Sequence, residues 1–189
     1  MTGGQRLVFK MDIKSLYTVI TNDEGLVSLE YFLDKRKVKD PPTDTLVRMA
    51  ELVLTLNTSE FKDEYYKQVG SVAMGSRLGP NYACLFVGYV EERMLAEYTG
   101  RKPDLYKRYM DDVAGAASGS EQDLQQFLDF ASKYHPKLVH KWSISSDKLP
   151  FHDIYMTPRD DHISTSIYYK DTDSHSYLNF GSSHPFKCN

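Results

Sequence analysis

Adjacent aspartates occur twice in the chain, and the two pairs keep opposite company. Asp111-Asp112 follows Tyr109-Met110, between an apolar stretch and the small-residue run Val113-Ala114-Gly115-Ala116-Ala117. Asp160-Asp161 lies beside Pro158 and Arg159 with nothing apolar around it. Carboxylates that share a chain reversal repel and raise each other's proton affinity unless a cation sits there. A solvated turn also suits aspartate, and that plainer reading covers Asp160-Asp161. A third acid, Asp12, ends an alternating stretch and opens Met11-Asp12-Ile13-Lys14-Ser15-Leu16-Tyr17-Thr18. Alone it reads as a cap or an ion-pair partner. Two-metal phosphoryl transfer needs carboxylates from separate strands, converging on ions roughly 3.5–4 Å apart. Asp12, Asp111 and Asp112 supply that set if their strands are neighbours. A further segment, Gln68 to Pro80, is rich in glycine and small residues and leads into a helix. Such a loop lets backbone approach a ligand closely, and a helix start offers free N–H groups to an anion; a plain loop fits the same residues.

The elements that must position these groups follow from periodicity. Arg6 to Ile13, with Leu7, Phe9, Met11 and Ile13 at alternate places, predicts a strand. Asp23 to Arg36 (Leu26, Leu29, Phe32, Leu33) and Thr43 to Asn57 (Leu46, Met49, Val53, Leu56 on one face) predict helices, parted by Pro41-Pro42. Phe61 to Val69 reads as a hairpin turning at Lys62-Asp63. Pro80 begins a long helix, where proline suits the first turn, with Leu85, Phe86, Tyr89, Met94 and Leu95 inward. Leu105 to Ser118 reads as two strands broken at Asp111-Asp112. Ser120 with Asp123 starts a capped helix carrying Leu124, Phe127, Leu128 and Ala131. Val139 to Ile144, Phe151 to Met156 and Ile163 to Tyr168 predict three more strands. The irregular alternation indicates an α+β fold, an antiparallel sheet with helices packed on one face.

The 189 residues fit one domain, with 41% hydrophobic and 26% charged residues, a balance typical of soluble globular chains. No apolar run reaches the ~18–20 residues that span a bilayer, and no membrane partner is expected. Two cysteines, Cys84 and Cys188, make no disulfide framework, which favours an intracellular setting. The net charge of −3 and pI near 6.1 are unlike those of a protein that grips phosphates over its whole surface. Any nucleic-acid contact is therefore local or supplied by other parts. Residues 1–5, Met1-Thr2-Gly3-Gly4-Gln5, resemble an expression leader and are set apart as a tag or disordered start.

Taken in order, Met11 to Ile20, Gln68 to Phe86 and Tyr109 to Gly115 resemble the signatures of a reverse transcriptase palm, the last as its YxDD hairpin. Ser15-Leu16-Tyr17-Thr18, Leu149-Pro150-Phe151-His152-Asp153-Ile154, Tyr169 to Leu178 and Ser183-His184-Pro185 resemble Penelope-like retroelements. The resemblance implies a palm over residues 6–170 and, over 171–189, the start of a connection toward a thumb. It also implies an RNA-directed DNA polymerase with two Mg²⁺ ions, Mn²⁺ substituting. Asp12, Asp111 and Asp112 match the metal ligands. Ile13 to Tyr17 match the triphosphate cradle, with the amides of Lys14, Ser15, Leu16 and Tyr17 lining it and the Tyr17 ring as a steric gate against ribose. Met74 and Gly75 match the position packing on the incoming base, and Arg77 a contact to template or triphosphate. Lys148 is a candidate proton donor to pyrophosphate, and Phe151 to Tyr155 resembles the hairpin that supports the primer end.

The partners implied are an RNA or DNA template with primer, deoxynucleoside triphosphates, and the fingers, thumb and endonuclease parts of the same element. The implied location is nuclear or cytoplasmic. The sequence departs from the pattern at Gly79-Pro80, where many relatives have Ser-Pro, and at Tyr82-Ala83-Cys84. It departs again at His152, where an apolar residue is expected. A catalytically inactive remnant with weak nucleic-acid binding fits the residues as an alternative, and a nucleotidyl cyclase is disfavoured by the Gly-rich loop and the primer-supporting segment.

Overall fold

The computed structural model describes residues 6–73 and 75–172. Residues 1–5, Met74 and nearly all of the segment read as leading toward a thumb lie outside them. The centre is a four-stranded antiparallel sheet in the order β4 (Leu105–Tyr109), β5 (Asp112–Ser118), β1 (Arg6–Ile13), β6 (His140–Ser145). The first strand therefore occupies an interior place and pairs on both edges with strands a hundred or more residues away.

Alternation along β1 sends Leu7, Phe9 and Met11 to one face, where they meet helices α4 (Gly79–Glu97) and α5 (Glu121–Tyr134). The cap of α5 is the one its sequence predicts: the Asp123 amide donates to Ser120 Oγ at 3.1 Å, and Leu124, Phe127, Leu128 and Ala131 are buried. Gly115 sits in β5 between Phe9 of β1 and Tyr106 of β4. A Cβ there would run into the Leu105 carbonyl and the Phe9 ring. Helices α1 (Leu16–Val19), α2 (Asn22–Asp34) and α3 (Thr43–Thr55) extend the helical side through a second cluster around Leu29, Leu54, Tyr82 and Phe86.

Val8, on the opposite face of β1, is fully buried as well. It packs with Ala116, Leu149 and Met156 beneath a second antiparallel sheet, β7 (Leu149–Phe151), β8 (Ile154–Pro158) and β9 (Ile163–Ile167). A strand covered on both faces needs the near-continuous apolar run Leu-Val-Phe. Cover ends before Asp12, which is exposed.

Several predicted details change. Phe151 to Met156 is a hairpin, not one strand: Phe151 pairs with Ile154, and His152 turns the chain at φ 53°. The turn before β5 falls at Met110-Asp111, so Asp112 already belongs to the strand. The hairpin β2 (Thr58–Phe61) and β3 (Glu64–Lys67) turns at Lys62-Asp63 as expected but begins earlier and is exposed on both faces. Ala50 and Leu54, not Met49, Val53 and Leu56, are the buried residues of α3. Its broader apolar stripe leaves a groove against Leu29 and Leu33 of α2. In α4, Leu85, Tyr89 and Leu95 are only half-buried, because Tyr82, Ala83, Val87 and Val90 take the innermost places. Among the described residues, no helix is long and apolar enough to cross a membrane.

Candidate active site

The open end of the central sheet gathers the three acids. Asp12 and Asp112 are directly opposite one another on β1 and β5, and cross-strand partners project to the same face of a pleated sheet. Asp111 precedes Asp112 in the turn, and its carbonyl accepts from the Ile13 amide at 3.0 Å. Two-residue hairpins favour turns with positive φ at the first loop residue. Met110 meets that demand at φ 56° although it is not glycine. The acid row continues at both ends, with Tyr109 opposite Asp112 and Lys141 opposite Asp12.

One step down the same face lies the row Lys107, Ala114, Lys10, Ser143. Lys10 Nζ donates to the Pro150 carbonyl at 3.0 Å, tying the second sheet to the first beside the acids. His152, at the tip of β7–β8, brings Nε2 to 3.6 Å from Asp112 Oδ2. Its ring packs edge-on against Phe151 and Tyr109, with centroids 4.3 and 5.6 Å away.

Electrostatics distinguish these groups. Burial and then the neighbouring Asp111 charge push the Asp112 carboxyl above the ordinary range; Asp12 adds to this, while His152 and Lys10 oppose it. Lys14 is held below the usual lysine range chiefly by the hydrogen-bonding contact and charge of Lys141. The Tyr17 phenol is pushed up by burial, then by Cys84 and Asp111, and so stays neutral near the acid turn.

The backbone before α1 turns sharply, with Ser15 at φ 54°. The Lys14 amide is committed to the Val139 carbonyl at 2.9 Å and the Ile13 amide to Asp111, so Ser15, Leu16 and Tyr17 carry the remaining amides of this segment. The Gly-rich loop is stitched alongside: the Val72 amide donates to the Tyr17 carbonyl at 3.0 Å, and Ser71 Oγ to the Thr18 carbonyl at 2.7 Å. Gly75 (φ 88°) and Arg77 are exposed on that loop. Lys148 is set apart, exposed ahead of β7 with Nζ over the Tyr155 ring at 4.7 Å from its centroid. Lys10, Lys141 and His152 were not singled out as site residues from the sequence. Counting back two places from Asp12 would have put Lys10 on the acid face; the others depend on long-range pairing.

The set of three carboxylates is made of hard oxygens, the donors Mg²⁺ and Mn²⁺ prefer. Among the described residues, no three His, Cys, Asp or Glu side chains close into a metal cage by themselves. Mg²⁺ sites in phosphoryl-transfer enzymes use one or two carboxylates and complete the shell with substrate phosphates and water. An open acid row fits that kind of site.

No protein-family model and no curated protein matches the sequence. Solved structures do match. Telomerase from Candida albicans, in complex with a TWJ fragment of telomeric RNA, superposes with a TM-score of 0.70 at 11% identity over 97% of this chain. The fold is a polymerase palm. Apo telomerase from Candida tropicalis, truncated from its C-terminal domain, gives 0.63 at 13% identity over 85% of the chain. The RNA-dependent RNA polymerase of a human picobirnavirus gives 0.61 at 14% over 88%. This palm spans 33%, 35% and 32% of those three chains respectively.

Proposed function

We propose that this palm belongs to an RNA-directed DNA polymerase of the Penelope-like kind, extending a primer 3′ end with deoxynucleotides by two-metal phosphoryl transfer. The observation that carries the reading is the cross-strand pairing of Asp12 with Asp112, with Asp111 in the adjoining turn. An acid and an acid pair about a hundred residues further along share the exposed end of one sheet. In this reading Asp12, Asp111 and Asp112 hold two Mg²⁺ ions, for which Mn²⁺ substitutes. Bound there, the ions supply charge neutralisation at the leaving pyrophosphate and acidify the primer 3′-hydroxyl.

The remaining roles belong to the chain itself. The amides of Ser15 to Tyr17 face the triphosphate, and the Tyr17 ring, held between α4 and the acid turn, excludes a ribose 2′-hydroxyl. Gly75 lines the base, and Arg77 reaches template or triphosphate. Lys148 would have to leave the Tyr155 ring to act as a proton donor. Template, primer and the fingers and thumb of a longer polymerase complete the assembly.

The test is Mg²⁺-dependent primer extension on an RNA template, with the natural chain beside Asp111→Asn. Extension that the substitution abolishes is the expected outcome. Silence from a folded natural chain, supplied with the rest of its polymerase, would favour an inactive remnant.

A further inference from the structure

Beneath the acid turn, on the helix side of the sheet, Arg108 is largely buried, with 13% of its side chain exposed. Its guanidinium is shared among three acceptors, two on α4 and one in the acid turn. Nε donates to Glu91 Oε2 at 2.8 Å, Nη2 to the Cys84 carbonyl of α4 at 3.1 Å, and Nη1 to the Met110 carbonyl at 2.8 Å. Tyr106 Oη donates to the other Glu91 oxygen at 2.8 Å. Burial, then Glu91, pushes the Tyr106 phenol up, so it remains a donor.

An ion pair that merely joined β4 to α4 would need Glu91 alone. The bond to Met110 does something else. Met110 is a non-glycine residue at φ 56°, a conformation that persists only where the surroundings hold it. Arg108 grips that residue from one side, and the Ile13 amide grips the next carbonyl, Asp111, from the other. The turn is thus held at two consecutive carbonyls, and the Asp111 Cα, which carries the carboxylate, lies between them.

We propose that Arg108 is a positioning residue that fixes the backbone of the Met110-Asp111 turn, and through it the reach of the Asp111 carboxylate toward a divalent cation. This rests on the metal-site reading above. A lysine keeps the charge facing Glu91 but is a point donor that cannot span the three acceptors.

The experiment is a Mn²⁺ titration of the purified chain, free Mn²⁺ being followed by electron paramagnetic resonance, with a thermal melt of each variant. The natural chain, Asp111→Asn, Arg108→Lys and Tyr106→Phe are compared. Arg108→Lys is expected to bind Mn²⁺ roughly tenfold more weakly, the loss typical of removing a group that orients a metal ligand. Tyr106→Phe should lose about two- to threefold, since it only frees one oxygen of Glu91. Arg108→Lys folded, with natural Mn²⁺ affinity, while Asp111→Asn is weakened would overturn the inference and leave the metal site standing. If Arg108→Lys does not fold, natural affinity in Tyr106→Phe overturns it instead. Should Asp111→Asn bind as well as the natural chain, the metal reading fails first and the inference with it.

Discussion

Asp111-Asp112 and Asp160-Asp161 are the same dipeptide at two hairpin turns of one molecule. The first straddles the end of the two-residue turn Met110-Asp111, whose carbonyls are gripped by Arg108 and the Ile13 amide, and its Asp112 faces Asp12 across the sheet. The second lies in the four-residue loop between β8 and β9, closed by the Arg159 amide donating to the His162 carbonyl. Asp161 is 87% exposed and pairs with the next residue, His162, at 2.6 Å. The hydrogen bond and charge of that histidine draw its carboxyl below the usual range, whereas burial and like charge drive Asp112 above it. Sequence neighbours do not decide what an acid pair can do. Its address in the sheet does.

The largest expected contrast is in chemistry. Asp111→Asn should lower primer extension by on the order of 10³-fold, as losing several kcal/mol of charge stabilisation predicts. Asp161→Asn should leave the rate unchanged; equal loss in both would remove the distinction between the turns.

Support beneath the turns should differ as well. Arg108→Met strands Glu91 without its partner and should cost about 3 kcal/mol in urea unfolding, the low end for a broken buried pair. Arg6 acts on Asp161 through its charge, the smallest of the influences on that carboxyl, and Arg159→Met in the exposed loop should stay within about 0.5 kcal/mol.

A smaller effect tests how tightly β5 is packed behind its acids. Gly115→Ala forces a methyl against the Leu105 carbonyl and the Phe9 ring and should destabilise by about 1–3 kcal/mol. Gly70→Ala, with open space around it, is the matched control.

The least effect, and the most discriminating in sign, concerns charge. Asp112 has a raised folded pKa, so its ionised form costs stability that is retained only at low pH and lost as pH rises through that pKa. Asp112→Asn should therefore raise Tm at pH 7 in chelator by about 1–2 °C, a gain kept small by solvent screening. Asp161, with its pKa lowered, contributes stability above its unfolded pKa that fades on acidification. Asp161→Asn should lower Tm slightly. Shifts of the same sign would show that the two environments are not opposed.

Local chemistry made much of this legible in advance. The Ser120 cap, the helix it starts, the β1 alternation and the Lys62-Asp63 turn are short-range events, and short-range residues encode them. Three hairpins turn on a residue of positive φ followed by aspartate, at Lys62-Asp63, Met110-Asp111 and His152-Asp153. A reading that watched for aspartate in second place would have split Phe151 to Met156 and explained His152 as a turn residue. Illegible were the partners set by pairing. Nothing near Asp12 announces Asp112 or Lys141, and nothing near Leu149 says that it will cover Val8. In α3 the helical spacing of Leu46, Met49, Val53 and Leu56 is genuine, yet Ala50 and Leu54 are the residues that enter the core cluster with Leu29.

The interior place of β1 has a bearing on how the chain is born. At ~5–20 residues per second, Asp12 leaves the synthetic machinery roughly 5–20 seconds before Asp112, and later still come the residues of β6. Through that interval Leu7-Val8-Phe9 has none of its eventual strand neighbours, an apolar edge of the kind that recruits other chains. Lys10 interrupts the run, and a charge in such a segment deters pairing between nascent chains. The lysine that later fastens Pro150 to the acid end thus guards the strand while it waits.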